Sequence, residues 1–105
     1  MRATALALGT AALVLASGAG HAEVIRIKIA NVAYQPAQVT AHVGDTIEWV
    51  NADVVAHTAT ARNGAFDLVM APNGKNSIVL KTAGAIDYYC KYHPNMTGQI
   101  SVVRD

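Results

Sequence analysis

Apolar and polar residues alternate with a period of two along much of this chain. Ile25, Ile27 and Ile29 fall on one side and Arg26 and Lys28 on the other, the pattern of a half-buried strand. Val39, Ala41 and Val43 repeat it, and Gly44-Asp45 supplies a turn before Thr46–Asn51, where Ile47 and Trp49 share a face. Further strands are predicted over residues 54–61, 66–70, 76–81 (after an Asn73-Gly74 turn), 86–90 and 98–103. Short strands separated by turn residues about every ten positions, with no stretch at helical period, predict an all-β fold, an antiparallel sandwich or barrel. In it Trp49 belongs to the core, and Tyr88 and Tyr89 face opposite ways, one inward and one partly exposed.

The first 22 residues break the pattern. A basic start at Arg2 leads into an apolar stretch that is shorter than the ~20 residues needed to span a bilayer, and it closes on the small-residue run Gly20-His21-Ala22. This reads as a secretory signal cleaved after Ala22, leaving residues 23–105 as one exported domain without a membrane anchor.

Charge narrows the function. Of the eight Lys and Arg residues only Arg2 lies in the signal, so the domain carries seven basic residues against seven acids, and neither sign forms a run. Nucleic-acid binding and attachment to anionic membranes lose their electrostatic basis.

The single cysteine, Cys90, has no partner for a disulfide, although export leads to an oxidising compartment. His93 and Met96 follow it at even spacings of three, between two predicted strands. With four histidines and three methionines in 105 residues, chance places them at those offsets about once in a thousand. Thiolate, imidazole and thioether are soft to borderline donors, and two histidines, a cysteine and a weak axial methionine suit copper engaged in electron transfer. Structural zinc uses more cysteines, and catalytic zinc keeps a water position open. The second histidine is His57 or His42. The pattern favours His57, within the uncharged run Val54-Val55-Ala56-His57-Thr58-Ala59-Thr60, because His42 alternates with Ala41 and Val43 and so faces solvent. Pro94 stiffens the ligand loop by fixing φ, and Met70, outside the loop, packs or lies at the surface.

With His57 upstream, the segment Tyr88-Tyr89-Cys90-Lys91-Tyr92-His93-Pro94-Asn95-Met96, the closing Gly98-Gln99-Ile100-Ser101-Val102-Val103 and the earlier Val43-Gly44-Asp45-Thr46-Ile47-Glu48-Trp49-Val50-Asn51, the chain resembles the cupredoxins. Within them Cys-x2-His-x2-Met is the compact loop of the amicyanin group; plastocyanins and pseudoazurins place the methionine two residues farther on. The resemblance implies a Greek-key β-sandwich with one type 1 copper near one end, with His57, Cys90 and His93 equatorial and Met96 axial. It also implies a monomeric periplasmic carrier of single electrons between redox proteins, such as a dehydrogenase donor or a c-type cytochrome acceptor. Two positions depart from the group: Thr58 stands where asparagine is usual, which puts the hydrogen bonds around the ligands in question, and Asn95 stands where phenylalanine is common, which makes the surface beside His93 more polar.

The same ligands also suit copper trafficking or buffering, in which the protein releases Cu(I) to an acceptor. Enzyme readings fare worse: a binuclear copper centre needs a second cysteine, a multicopper oxidase more histidines, and a cysteine hydrolase a base and a third orienting group.

Overall fold

A computed structural model describes residues 21–104, so most of the signal segment lies outside the described residues. Nine strands form two sheets: β1 (Val24–Ala30), β2 (Ala33–Gln35), β3 (Gln38–His42), β4 (Thr46–Asn51), β5 (His57–Ala61), β6 (Asp67–Met70), β7 (Lys75–Val79), β8 (Gly84–Cys90) and β9 (His93–Val103). One sheet has the order β2-β1-β4-β7 and the other β3-β9-β8-β5-β6, and they stack as a sandwich. The expected period-two segments at residues 25–29 and 46–51 line the inner face of the first sheet. Ile27, Ile29, Ile47 and Trp49 are fully buried there, and burying each such aliphatic chain stabilises the fold by about 1.5–3 kcal/mol.

The sheets are mixed rather than wholly antiparallel. β1 runs parallel to β4, with Ile27 beside Trp49, and β3 runs parallel to β9, with Ala41 beside Val102. Alternation reports which face a residue takes but not the direction of a strand's neighbour, so the parallel pairs left no mark in the pattern. Both arise because the chain crosses between the sheets instead of folding back in successive hairpins. After β2 it leaves the first sheet to lay down β3, then returns for β4 beside β1.

An aromatic cluster joins the sheets. Tyr88 of β8 lies edge-on to Trp49 with centroids 5.5 Å apart and packs at 4.5 Å against Tyr34, while Phe66 sits 5.3 Å from Trp49. The Trp49 ring N–H donates to the Tyr88 hydroxyl at 3.3 Å, giving the buried polar tips a partner. Burial pushes the Tyr88 hydroxyl up to about 12. Tyr89, next along β8, faces outward with the Arg62 guanidinium 4.3 Å above its ring. The opposite facings of the two tyrosines and the core position of Trp49 agree with the sequence reading, and Met70 is packed in the core.

Two local differences shape the site. Residues 54–56, expected as the start of a strand, lie instead in a loop over residues 52–56, and β5 begins only at His57. Asn51 is the cause: its buried side-chain amide donates to the carbonyls of Val55 (2.9 Å), Met70 (3.2 Å) and Ala71 (3.2 Å), and its Oδ1 accepts the Asp53 amide at 2.9 Å. Backbone drawn onto a side chain is withdrawn from a ladder. The ligand loop, in turn, is tighter than expected. Cys90 ends β8, His93 begins β9, and the two are paired across a turn made by Lys91 and Tyr92.

Candidate metal centre

Three strands converge at one end of the sandwich. His57 opens β5 and is fully buried, Cys90 closes β8 and is fully buried, and His93 at the start of β9 is half-buried. Cys90 has the same inward facing as Tyr88, two residues earlier. The register then jumps. Tyr89 pairs with Thr97, but Cys90 pairs with His93, so Pro94, Asn95 and Met96 have no pairing partner on β8. This bulge turns Met96 inward, where it is 4% exposed, while Pro94 and Asn95 face solvent.

Cys90 Sγ lies 3.7 Å from His57 Nδ1 and 3.7 Å from His93 Nδ1. Candidate ligand atoms of the three residues all fall within 4.8 Å of one another. The two rings are tilted by 52° with centroids 4.9 Å apart. These distances test whether the donors fit one ion. Bonds of about 2.0 Å to imidazole and about 2.3 Å to thiolate, spread about 120° apart, separate nitrogen from sulfur by about 3.7 Å. The donor set fits a trigonal metal, and its softness suits copper. His42 is not part of this group: its ring is exposed on β3, 3.8 Å from Asp45.

Hydrogen bonds fix the donors from outside. The Thr58 amide donates to Cys90 Sγ at 3.2 Å, and the Thr58 hydroxyl accepts the Lys91 amide at 2.9 Å. Threonine at this position therefore binds β5 to the turn between the cysteine and the second histidine, which answers the question raised by the absence of asparagine. Tyr34 donates its hydroxyl to the Thr58 carbonyl, and burial, followed by the neighbouring Cys90 and Tyr88, pushes its ionisation far up. On the far side of His57, Nε2 lies 2.8 Å from Asp53 Oδ2. Asp53 also accepts the amides of Asn31 (2.8 Å) and Val32 (2.9 Å), two residues with left-handed φ of 54° and 56° in the turn between β1 and β2. The Val32 amide, then the His57 ring and the Asn31 amide, hold the Asp53 carboxyl below the usual carboxylate range against an opposing cost of desolvation.

Sequence reasoning missed Asn51 and Asp53. The spacing Asp53-x3-His57 was the available signal, but an acid in an otherwise apolar run reads as a turn residue.

Comparison with known proteins points the same way. The Cupredoxin-like domain family matches residues 3–102. Amicyanin of Paracoccus versutus is 31% identical over 87 residues, covering 77% of this chain and 66% of the relative. Amicyanin-alpha of Methylorubrum extorquens is 29% identical over 104 residues, covering 93% of this chain and 85% of the relative. Against the Paracoccus versutus protein the match thus spans just under two thirds of the relative's length. Among solved structures, the reduced Cu(I) form at pH 4 of a proline-to-glycine variant of amicyanin superposes with a TM-score of 0.67 at 30% identity, covering 83% of this chain and 87% of that one. An oxidised methionine-to-leucine variant of amicyanin gives 0.69 at 29% identity with the same coverage. The nine-stranded sandwich, the convergence of His57, Cys90 and His93 at one end and the family match together establish that this chain belongs to the cupredoxin-like domain family, as a distant homologue of amicyanin.

Proposed function

We propose that this protein is a one-electron carrier rather than an enzyme, with one copper ion that His57 Nδ1, Cys90 Sγ, His93 Nδ1 and Met96 would hold. The observation that carries the reading is the pair of 3.7 Å sulfur-to-nitrogen separations, built by three strands whose hydrogen bonds hold the donors in place. When bound, copper supplies a Cu(II)/Cu(I) couple; everything else is the work of the chain.

His57 and Cys90 sit on paired sheet strands, so the donors need little rearrangement between oxidation states. Burial of His57, Cys90 and Met96 shields the donors from water on the core side. His93, half-buried, is the route to the surface. Beside it the turn exposes Tyr92 and the bulge exposes Pro94, and the loop before His57 exposes Val54 and Val55. With balanced charge, docking to redox proteins rests on this small apolar surface rather than on long-range steering. A dehydrogenase donor and a c-type cytochrome acceptor are the partners this chemistry suits. Residues 1–22 serve as a cleaved export signal, which places the monomeric carrier in the periplasm.

Electron self-exchange of the copper protein, measured by NMR line broadening in Cu(I)/Cu(II) mixtures, tests the reading against copper delivery. A carrier exchanges electrons quickly and retains Cu(I) in the presence of an apo acceptor. Slow exchange with rapid transfer of Cu(I) to the acceptor would replace it with trafficking or buffering.

A further inference from the structure

Among the described residues, Asp53 is the acid whose carboxylate touches a residue of the candidate centre, and it does so from the side away from the sulfur. Its side chain is mostly covered, and three groups converge on it: the Asn31 amide on Oδ1, and the Val32 amide and His57 Nε2 on Oδ2. An ionised carboxylate only accepts hydrogen bonds. At 2.8 Å the ring nitrogen therefore carries a proton, and in the neutral ring this leaves Nδ1, the nitrogen 3.7 Å from Cys90 Sγ, with its lone pair free.

We propose that Asp53 is a positioning residue for the upstream copper ligand: it holds His57 as the Nε2–H tautomer and places a fixed negative charge behind it that favours Cu(II) over Cu(I). The inference rests on the copper reading but concerns a separate residue.

The placement explains why the surrounding chain is built as it is. A carboxylate can orient a ring only if it is itself fixed. The Asn31 and Val32 amides reach Asp53 because both residues adopt left-handed φ, which directs successive N–H groups toward one acceptor. From the other side, Asn51 Oδ1 holds the Asp53 amide. The carboxylate is thus held by two loops before it meets His57. Its charge follows the same path: through the imidazole it raises the electron density of the donor nitrogen, which benefits the more highly charged ion.

Two measurements separate this role from that of a simple turn anchor. In the metal-free protein, 15N NMR of the His57 ring should show the Nε2–H tautomer, with an Nε2 proton protected from exchange; in Asp53→Ala that protection should be lost. In the copper protein, Asp53→Asn keeps an oxygen beside Nε2 but removes the charge. It should shift the Cu(I):Cu(II) binding ratio about tenfold toward Cu(I), which for a one-electron couple raises the reduction potential by about 59 mV. Asp53→Glu, which restores the charge, should return the potential most of the way to the wild-type value. An Nδ1–H tautomer in the wild-type protein, or variants whose stability falls while the potential stays unchanged, would overturn the proposal. Failure of the protein to take up copper at all would instead overturn the copper reading, and the metal-free NMR experiment would still decide the tautomer.

Discussion

Gly98 offers a quantitative test of how the core supports the centre. It lies on β9 directly across from Tyr88 on β8, and the tyrosine ring folds over it. A methyl group at this position would come within 2.5 Å of Tyr88 Cζ, 2.6 Å of its hydroxyl oxygen and 2.7 Å of Cε1. Comfortable separations are about 3.5–4.0 Å, so the ring would have to retreat by about 1 Å. It has nowhere to go, since Tyr34, Trp49 and Phe66 surround it at centroid distances of 4.5, 5.5 and 5.9 Å. Overpacking of this kind costs about 1–3 kcal/mol, and breaking the Trp49-to-Tyr88 hydrogen bond adds about 1 kcal/mol. Gly98 does not occupy a left-handed conformation, so alanine recovers about 0.4–1 kcal/mol through the unfolded state. Gly98→Ala should therefore destabilise the metal-free protein by about 2–3 kcal/mol. With an m-value of about 1 kcal/mol/M, that lowers the urea midpoint by about 2 M. In a Tyr88→Leu background the same substitution should cost less than about 0.5 kcal/mol, because the clashing ring is gone. A loss below about 0.5 kcal/mol in the wild-type background, or equal losses in both backgrounds, would refute the packing argument.

Two further outcomes follow from polar groups that the fold buries. Asp45, 2% exposed, accepts the amides of Glu23 (2.9 Å) and His42 (2.8 Å), and those bonds, in that order, lower its ionisation range. A depressed carboxylate stabilises the fold above its unfolded value of about 3.9 and loses that contribution as pH falls through the folded value. Asp45→Asn should therefore cost about 1–3 kcal/mol at pH 7 by urea denaturation, and the gap to wild type should close below about pH 4; a gap that persists there would contradict the assignment. Asn51→Ala removes one side-chain amide shared by three carbonyls, so it should cost about 2–3 kcal/mol and weaken copper binding as the loop carrying Asp53 loosens, read by a competition titration with a Cu(I) chelator.

Much of this centre can be seen in the chain before it folds. The even spacing of Cys90, His93 and Met96 marks it because a tight turn pairs the cysteine with the histidine and a bulge turns the methionine inward, and His57 stands out as the histidine in an uncharged stretch. The isoleucines at 25, 27 and 29 and the pair Ile47 and Trp49 disclose their strands because one face of each is buried. Other features depend on contacts that leave no periodic trace. Val54 and Val55 have strand-forming side chains, yet Asn51 draws the chain into a loop in which Val54 is 90% exposed. Strand β2, with three residues, is too short to establish a period. The parallel pairing of β1 with β4 joins segments 22 residues apart, and Asp53 meets Asn31 and Val32 only once that pairing has formed.

The central claim, a copper centre that uses the lone cysteine as a ligand, is tested most directly by titrating the metal-free protein comprising residues 23–105 with Cu(II) and recording its visible spectrum. The account predicts one equivalent of copper and an intense thiolate-to-copper absorption band that disappears in Cys90→Ser and in His57→Ala but survives in His42→Ala. A colourless protein fully loaded with copper, or a band that persists without Cys90, would contradict it.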